Sequence, residues 1–303
     1  MFLDPQSKLL HHGDRVKSWL EGGNPPPILI EIAPTGYCNA TCPWCFFKDK
    51  NDDGQIDKDT MLQTLKELAK IGARAINWTG GGEPTLHPNF DEFVTKAHTL
   101  GLEQGLFTNA YLEIENASMF KWVRISLTDK EFKPIKKPEG YFGICVNMLV
   151  DTPPEKLRKW CKEARDMGAK YFQVRPAVEG YYKRQPKMLL PLYLGEYETE
   201  NFKVLLTPYK FKEATFPHGY KQCYGYHFCP SIDWKGKVGA CLYRMHENKY
   251  IFGDLNENSF IDIWENKVVA DNLVDAGCQN CCKNHEINKA LFAAKQAEQV
   301  NFL

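Results

Sequence analysis

At 303 residues, 43% hydrophobic and 25% charged, the chain has the composition of a soluble globular enzyme and length for one large domain or two moderate ones. Lysine plus arginine equals aspartate plus glutamate, at 38 each, so no basic field argues for nucleic acid and no acidic tail stands out. No apolar run is long enough to span a bilayer and Met1–Lys8 lacks a signal-peptide stretch, so the expected compartment is the cytoplasm, where eleven cysteines point to metal ligands or core thiols rather than disulfides.

The elements come in a regular order. After an N-terminal extension, 1–27, Ile28–Ile32 reads as a strand. Lys58–Ile71 carries Met61, Leu65, Leu68 and Ile71 at helical spacing and closes at Gly72. Ala75–Thr79 is a strand and Phe90–Leu100 a helix closed by Gly101. Leu102–Thr108, Trp122–Leu127 and Tyr141–Val150 are strands. Pro154–Met167 is a helix, with Pro154 in its first turn and Gly168 beyond its end, and Tyr171–Arg175 is the sixth strand. This alternation predicts parallel strands with crossover helices, as an open barrel or a doubly wound sheet; pattern alone does not choose. Residues 177–222 break the rhythm and read as a linker or lid, with Tyr181, Tyr182, Lys183, Arg184, Tyr193 and Tyr197 over the barrel mouth. In 223–303, Ile232–Trp234 and Val238–Leu242 form a small hairpin, and Asn284–Gln299 a closing helix.

Chemistry concentrates in the cysteines. Cys38, Cys42 and Cys45 have the spacing C-x3-C-x2-C directly after the first strand. Each iron of a four-iron cube takes one ligand, usually thiolate, so three thiolates leave one iron open to a small molecule. Structural zinc competes, and on spacing alone the two readings stand even. Zinc sites usually offer four ligands in paired knuckles, whereas this loop has three cysteines and no nearby histidine. A second group comprises Cys223, Cys229, Cys241, Cys278, Cys281 and Cys282. Cys161 is assigned no role, and His87 and the His11–His12 pair read as solvated.

The first cysteine loop, with Trp44 just before its last cysteine, resembles the signature of radical S-adenosylmethionine (SAM) enzymes. Thr79-Gly80-Gly81-Gly82-Glu83-Pro84 resembles that family's "GGE" loop and Phe107-Thr108-Asn109 its "TN" motif. Arg124-Ile125-Ser126-Leu127 with Asp129 resembles its fourth strand. Each motif is weak alone; in this order, over residues 28–176, they are specific. The resemblance implies a partial (β/α)6 barrel in which Cys38, Cys42 and Cys45 hold a [4Fe–4S] cluster. SAM would sit on the open iron and be cleaved reductively to a 5′-deoxyadenosyl radical that abstracts a substrate hydrogen. Gly80, Gly81 and Gly82 let the backbone approach the methionine part, and Glu83 accepts from its ammonium. Asn109, Ser126, Asp129 and Asn147 complete the cofactor set, and Arg175 pairs with the carboxylate. Side chains two apart on a strand share a face. Arg124 therefore shares the face of Ser126, Gln173 that of Arg175, and Cys145 that of Asn147. Cys145 is the candidate hydrogen donor, against the ordinary reading of a buried core thiol.

The second cysteine group resembles the auxiliary-cluster region called SPASM, or twitch in its short form. Cys223, twelve residues, Gly236, four residues and Cys241 fit C-x(9–15)-G-x4-C. Gly253-Asp254-Leu255, Ser259-Phe260 and Ile263-Trp264 resemble the segment leading to the last ligands, and Cys278-x2-Cys281 completes four thiolates. Cys229 competes with Cys223 but lies too near Gly236, and Cys282 is spare. The same four thiolates could build a structural zinc site. Too few cysteines follow for a full second auxiliary cluster, so the short form is expected. The resemblance implies a second [4Fe–4S] cluster and redox-linked chemistry on a small polar metabolite, as in aminocyclitol dehydrogenases that oxidise 2-deoxy-scyllo-inosamine. A peptide-modifying enzyme making cross-links or epimers is the alternative, weakened by the short segment before the first strand. A zinc-stabilised binding protein without catalysis is the third reading. Expected partners are the small-molecule or peptide substrate and an electron donor such as flavodoxin or ferredoxin, with no nucleic acid and no membrane.

Overall fold

Strands whose apolar residues alternate onto one face pair side by side, and helices cover that face. The computed structural model describes residues 5–42, 44–47, 54–127, 137–149, 152–177, 194–206, 218–275, 278 and 283–301. Two short helices open the chain, α1 (Pro5–Leu10) and α2 (Gly13–Leu20). The repeating part follows: β1 (Leu29–Ile32), α3 (Lys58–Lys70), β2 (Ala75–Trp78), α4 (Phe90–Thr99), β3 (Glu103–Thr108), β4 (Trp122–Leu127), β5 (Phe142–Met148), α5 (Pro154–Asp166), β6 (Tyr171–Pro176) and β7 (Lys203–Leu206). β1 to β7 stand in sequence order and each neighbouring pair is parallel. The C-terminal part adds β8 (Ser231–Ile232), β9 (Lys237–Gly239), β10 (Ile251–Asp254), α6 (Phe260–Asn266) and α7 (His285–Gln296). β8 pairs parallel with the free side of β1, and β9 and β10 continue antiparallel, giving one ten-stranded sheet among the described residues.

Local chemistry explains the helix ends. Asp57 accepts from Thr60 N at 2.9 Å and caps α3. Gly72 follows it at φ +89°, a left-handed conformation that suits glycine. Under the helices lie Ile30, Ile32, Ile76, Leu106, Val123 and Ile125. Trp78 joins them, with its indole N–H donating to Gln104 Oε1 at 2.7 Å. The opposite strand faces turn toward a lumen: Arg124 and Ser126 on β4, Gly143, Cys145 and Asn147 on β5, and Tyr171, Gln173 and Arg175 on β6 share registered rows.

The structure departs from the sequence reading in four places. β7 lies inside the segment read as a linker and pairs with β6. Tyr197, read as part of a lid, lies in the outer layer instead, with the Arg165 guanidinium 5.9 Å from its ring; Tyr181, Tyr182, Lys183, Arg184 and Tyr193 lie outside the described residues. The N-terminal extension folds: Leu9 and Trp19 pack on Phe228 and Leu291, and Arg15 donates to Pro27 O and Gly72 O at 2.7 and 2.6 Å. His87 is buried rather than solvated. Its Nε2 lies 2.9 Å from Ile56 O, and its Nδ1 accepts from Asn89 N at 3.1 Å. Burial, the leading effect, holds its pKa below the usual imidazole range.

Candidate active site

The C-terminal ends of the parallel strands carry the loops that the motifs occupy. The cysteine loop leaves β1 through Pro34, whose carbonyl accepts from Ile56 N at 3.0 Å, and Gly36 N donates to Gly54 O at 2.7 Å. Beside it runs the glycine loop after β2. Gly82 N donates to Thr35 O and Glu83 N to Tyr37 O, at 2.9 and 2.7 Å. A Cβ on Gly82 would stand 1.9 Å from Tyr37 O, so only glycine permits this backbone approach. The two loops enclose a cavity of about 210 Å³. Cys38, Cys42 and Cys45 line it with Gly80, Gly81, Gly82, Glu83, Asn109, Ser126, Asn147 and Arg175. Asp129 lies outside the described residues. Cys145 is 2% exposed and is not among the cavity-lining residues, so the structure gives it the right face but not access.

Glu83 sits at the junction of three loops. Its Oε1 accepts from Thr85 Oγ1 at 2.9 Å and Thr108 Oγ1 at 2.7 Å; its Oε2 accepts from Asn109 N at 2.7 Å. Burial raises its pKa, against the pull of those hydrogen bonds. Asn109 Nδ2 then donates to Asn39 Oδ1 at 2.7 Å, tying the loop after β3 to the cysteine loop.

Several cavity features escaped sequence reasoning. Phe46 and Phe47 follow the last loop cysteine and pack on Tyr243, with Phe47 and Tyr243 stacked at 5.6 Å. Trp234, at the β8–β9 turn, meets Phe47 edge-on. Its ring also covers Gly81, where a Cβ would stand 2.2 Å from it. Tyr243 lines the cavity as well, and so does Arg124, on the face that strand alternation assigns it with Ser126. The local signal for Tyr243 was its place two residues after Cys241.

A second, smaller cavity, of about 30 Å³, is lined by Cys223, Cys241, Cys278, Tyr250, Lys283 and Asn288 among others. Asn288 Nδ2 donates to Cys223 Sγ at 3.5 Å. Cys229 does not line it. Burial pushes that thiol up to about 12, and its Sγ lies 3.9 Å from Lys283 Nζ. Lys283 also donates to Ser231 Oγ at 2.9 Å and to Glu31. Cys281 and Cys282 lie outside the described residues.

Among the described residues no three Cys, His, Asp or Glu side chains gather closely enough to hold one ion. The three loop thiols line the first cavity together, and three thiolates on one short loop fit a cube, in which each cysteine takes a different iron.

Residues 32–184 match the family model of the radical SAM superfamily. The chain belongs to that superfamily. Residues 223–283 match SPASM, an iron–sulfur cluster-binding domain. The radical SAM domain implies a [4Fe–4S] cluster with SAM, and the SPASM domain implies auxiliary iron–sulfur. This radical SAM chain is similar to a tungsten-containing aldehyde ferredoxin oxidoreductase cofactor-modifying protein of Pyrococcus furiosus, 23% identical, covering 84% of this chain and 86% of that one. It is 34% identical to a PqqA peptide cyclase of Rhodopseudomonas palustris over 92 residues, which cover 30% of this chain and 24% of the relative. The solved structure of Streptococcus suis SuiB bound to precursor peptide SuiA shares the fold, with a TM-score of 0.60, 16% identity and coverage of 86% and 70%.

Proposed function

We propose that this radical SAM enzyme modifies a peptide, abstracting hydrogen from a side chain held in the barrel lumen. The observation that carries the reading is the convergence of the cysteine loop, the glycine loop and polar strand ends on one cavity opening into the lumen. The peptide class draws support from the cyclase relative and from the fold shared with a peptide-bound enzyme. The expectation of a sugar-like substrate becomes the second reading, favoured by the polar groups Ser126, Asn147 and Arg175 in the same wall.

In this proposal Cys38, Cys42 and Cys45 hold the [4Fe–4S] cluster, which with SAM supplies one-electron chemistry ending in a hydrogen-abstracting radical. The chain positions and shields. Glu83 Oε1 is taken by two hydroxyls, whereas Oε2 accepts one amide and keeps room for an ammonium. Asn109, Ser126, Asn147 and Arg175 hold the remaining polar groups of SAM, and Trp234, Phe47 and Tyr243 exclude water from the cysteine side. Cys223, Cys241, Cys278 and Cys281 hold the auxiliary cluster. A one-electron donor of the flavodoxin or ferredoxin kind serves it in the cytoplasm.

Anaerobic reconstitution with iron and sulfide tests the class: about eight irons per chain are expected for two cubes. Reduction should release 5′-deoxyadenosine, and alanine at positions 38, 42 and 45 should abolish it. Persistence of SAM cleavage in that triple variant overturns the assignment. Deuterium passing into 5′-deoxyadenosine from a labelled peptide pool supports the peptide reading; transfer from labelled cyclitols alone replaces it with the second.

A further inference from the structure

The lumen contains a second chamber, larger than the first. It measures about 280 Å³ and is lined by Trp122, Tyr141, Tyr171, Gln173 and Leu205, toward the N-terminal ends of the strands. Phe107 and Arg124 line both chambers, so the two meet at that pair.

The strands are built to leave this space open. Gly105 stands beside Trp122 on the neighbouring strand, and Gly143 beside Tyr171. A Cβ at either glycine would stand 2.2 Å from the adjacent ring. The two rings therefore lie flat on the strands, forming a wall in place of a plug.

Arg124 dominates the junction. Its guanidinium lies 3.8 Å above the centre of the Phe107 ring. Nη1 makes one long hydrogen bond, 3.3 Å, to Gln173 Oε1, and Nε is buried without a hydrogen-bond partner. Among the described residues no carboxylate pairs with it. A guanidinium offers five N–H donors in a fixed fork that matches a carboxylate. Burial lowers its pKa, and Arg175, a second cation, adds to that. The charged residues lining the chamber, as described, are Lys8, Lys121 and Arg124, and Lys121 is already paired with Glu103 at 3.6 Å. A half-buried cation with no carboxylate partner among the described residues is poised to accept one from outside. Arg175 lines only the upper chamber, one row beyond Gln173, which leaves Arg124 deeper in the lumen than the SAM side.

We infer that Arg124 is the anion receptor of the substrate site: the group drawn into the lumen carries a carboxylate on an apolar stem. The carboxylate pairs with the guanidinium, and the stem lies against Phe107, Trp122 and Tyr171. For a peptide substrate this selects an acidic side chain or a chain terminus. The inference rests on the lumen being the substrate site, as proposed above, and it fails separately from that reading.

The test uses 3-phenylpropanoate and 3-phenylpropanamide as probes, titrated calorimetrically into the reconstituted enzyme. The acid should bind at least tenfold more tightly than the amide. Arg124→Gln should erase that preference and Arg124→Lys should restore part of it, with folding checked by circular dichroism and melting. Equal binding of acid and amide to the wild-type enzyme overturns the inference and needs no variant. So does an Arg124→Gln enzyme that keeps the preference, or one whose main loss is affinity for SAM. Release of 5′-deoxyadenosine, read in the same samples, reports on the enzyme class independently.

Discussion

Glu83 is a buried carboxylate whose place in the architecture also suits the proposed contact with SAM. It gathers Thr85, Thr108 and Asn109, so the glycine loop and the loop after β3 keep a fixed separation. Glu83→Gln keeps the volume but removes the charge and forces an N–H₂ group among donors. SAM affinity should fall roughly 10- to 100-fold, the worth of one charge-assisted hydrogen bond. Equilibrium dialysis checks this, and unchanged affinity would place the ammonium elsewhere. Asp233 makes a different prediction. It accepts from Lys235 N and Lys237 N at 2.9 Å, yet burial raises its pKa to about 6. A raised folded-state pKa means its contribution is fully present below the unfolded value near 3.8 and lost as pH rises through 6. Asp233→Asn keeps the acceptor and removes the titration. Relative to the variant, the wild-type protein should lose about 1–2 kcal/mol between pH 5 and pH 7.5. Urea unfolding at the two pH values measures it; parallel behaviour of the two proteins refutes it. Some residue-level meaning was legible in sequence and some was not. Gly82 and Glu83 announce themselves by their run. His87 was misread because its partner, the Ile56 carbonyl, lies 31 residues earlier. Cys145 was given a face by strand alternation, but alternation carries no information about depth.

At the level of elements, legibility follows periodicity. β4 is bounded as read, because its buried and half-buried residues alternate with period two. β7 has four residues, exposed at Lys203 and half-buried through Leu206, and so offers no alternation. Strand β8 has two residues, and only its pairing with β1 reveals it as part of the barrel sheet. That pairing sets Ser231 beside Glu31, and Lys283 binds both. The same ammonium lines the cavity of Cys223, Cys241 and Cys278. A fixed cation there favours the more reduced, more negative state of a cluster held by those thiolates. Lys283→Met should lower the auxiliary midpoint potential by on the order of 50–100 mV, as expected for a unit charge several ångströms away at an effective dielectric near 20. Lys283→Arg should restore most of it. A redox titration followed by electron paramagnetic resonance decides the matter: a variant with its full iron content and an unmoved potential rules the effect out.

Across the whole molecule, the barrel and the cysteine-rich C-terminal part are joined twice, once through the sheet at β1–β8 and once through aromatic rings over the cysteine loop. Neither joint was visible in the sequence, since each depends on side chains or backbone about 200 residues apart meeting in space. The second joint makes the two cavities mechanically dependent. Cys241 lines the C-terminal cavity, and Tyr243, two residues on, lines the cavity of the first cysteine loop. Between them runs a single helical turn, Leu242–Arg244, with Leu242 buried against the Phe47 and Trp234 cluster. A ligand bond at Cys241 would fix the start of that turn and, through it, the ring stacked on Phe47. Cys241→Ala should therefore act at a distance. Iron content should fall from about eight to about four per chain as the auxiliary cube is lost. SAM affinity should fall roughly 3- to 10-fold, about 0.7–1.4 kcal/mol, although no residue assigned to SAM has changed. Tyr243→Ala should reproduce the affinity loss with both cubes present, because it removes the same ring while leaving Cys241 in place. If Cys241→Ala loses its auxiliary irons and still binds SAM like the wild type, the turn transmits nothing and the cavities are independent.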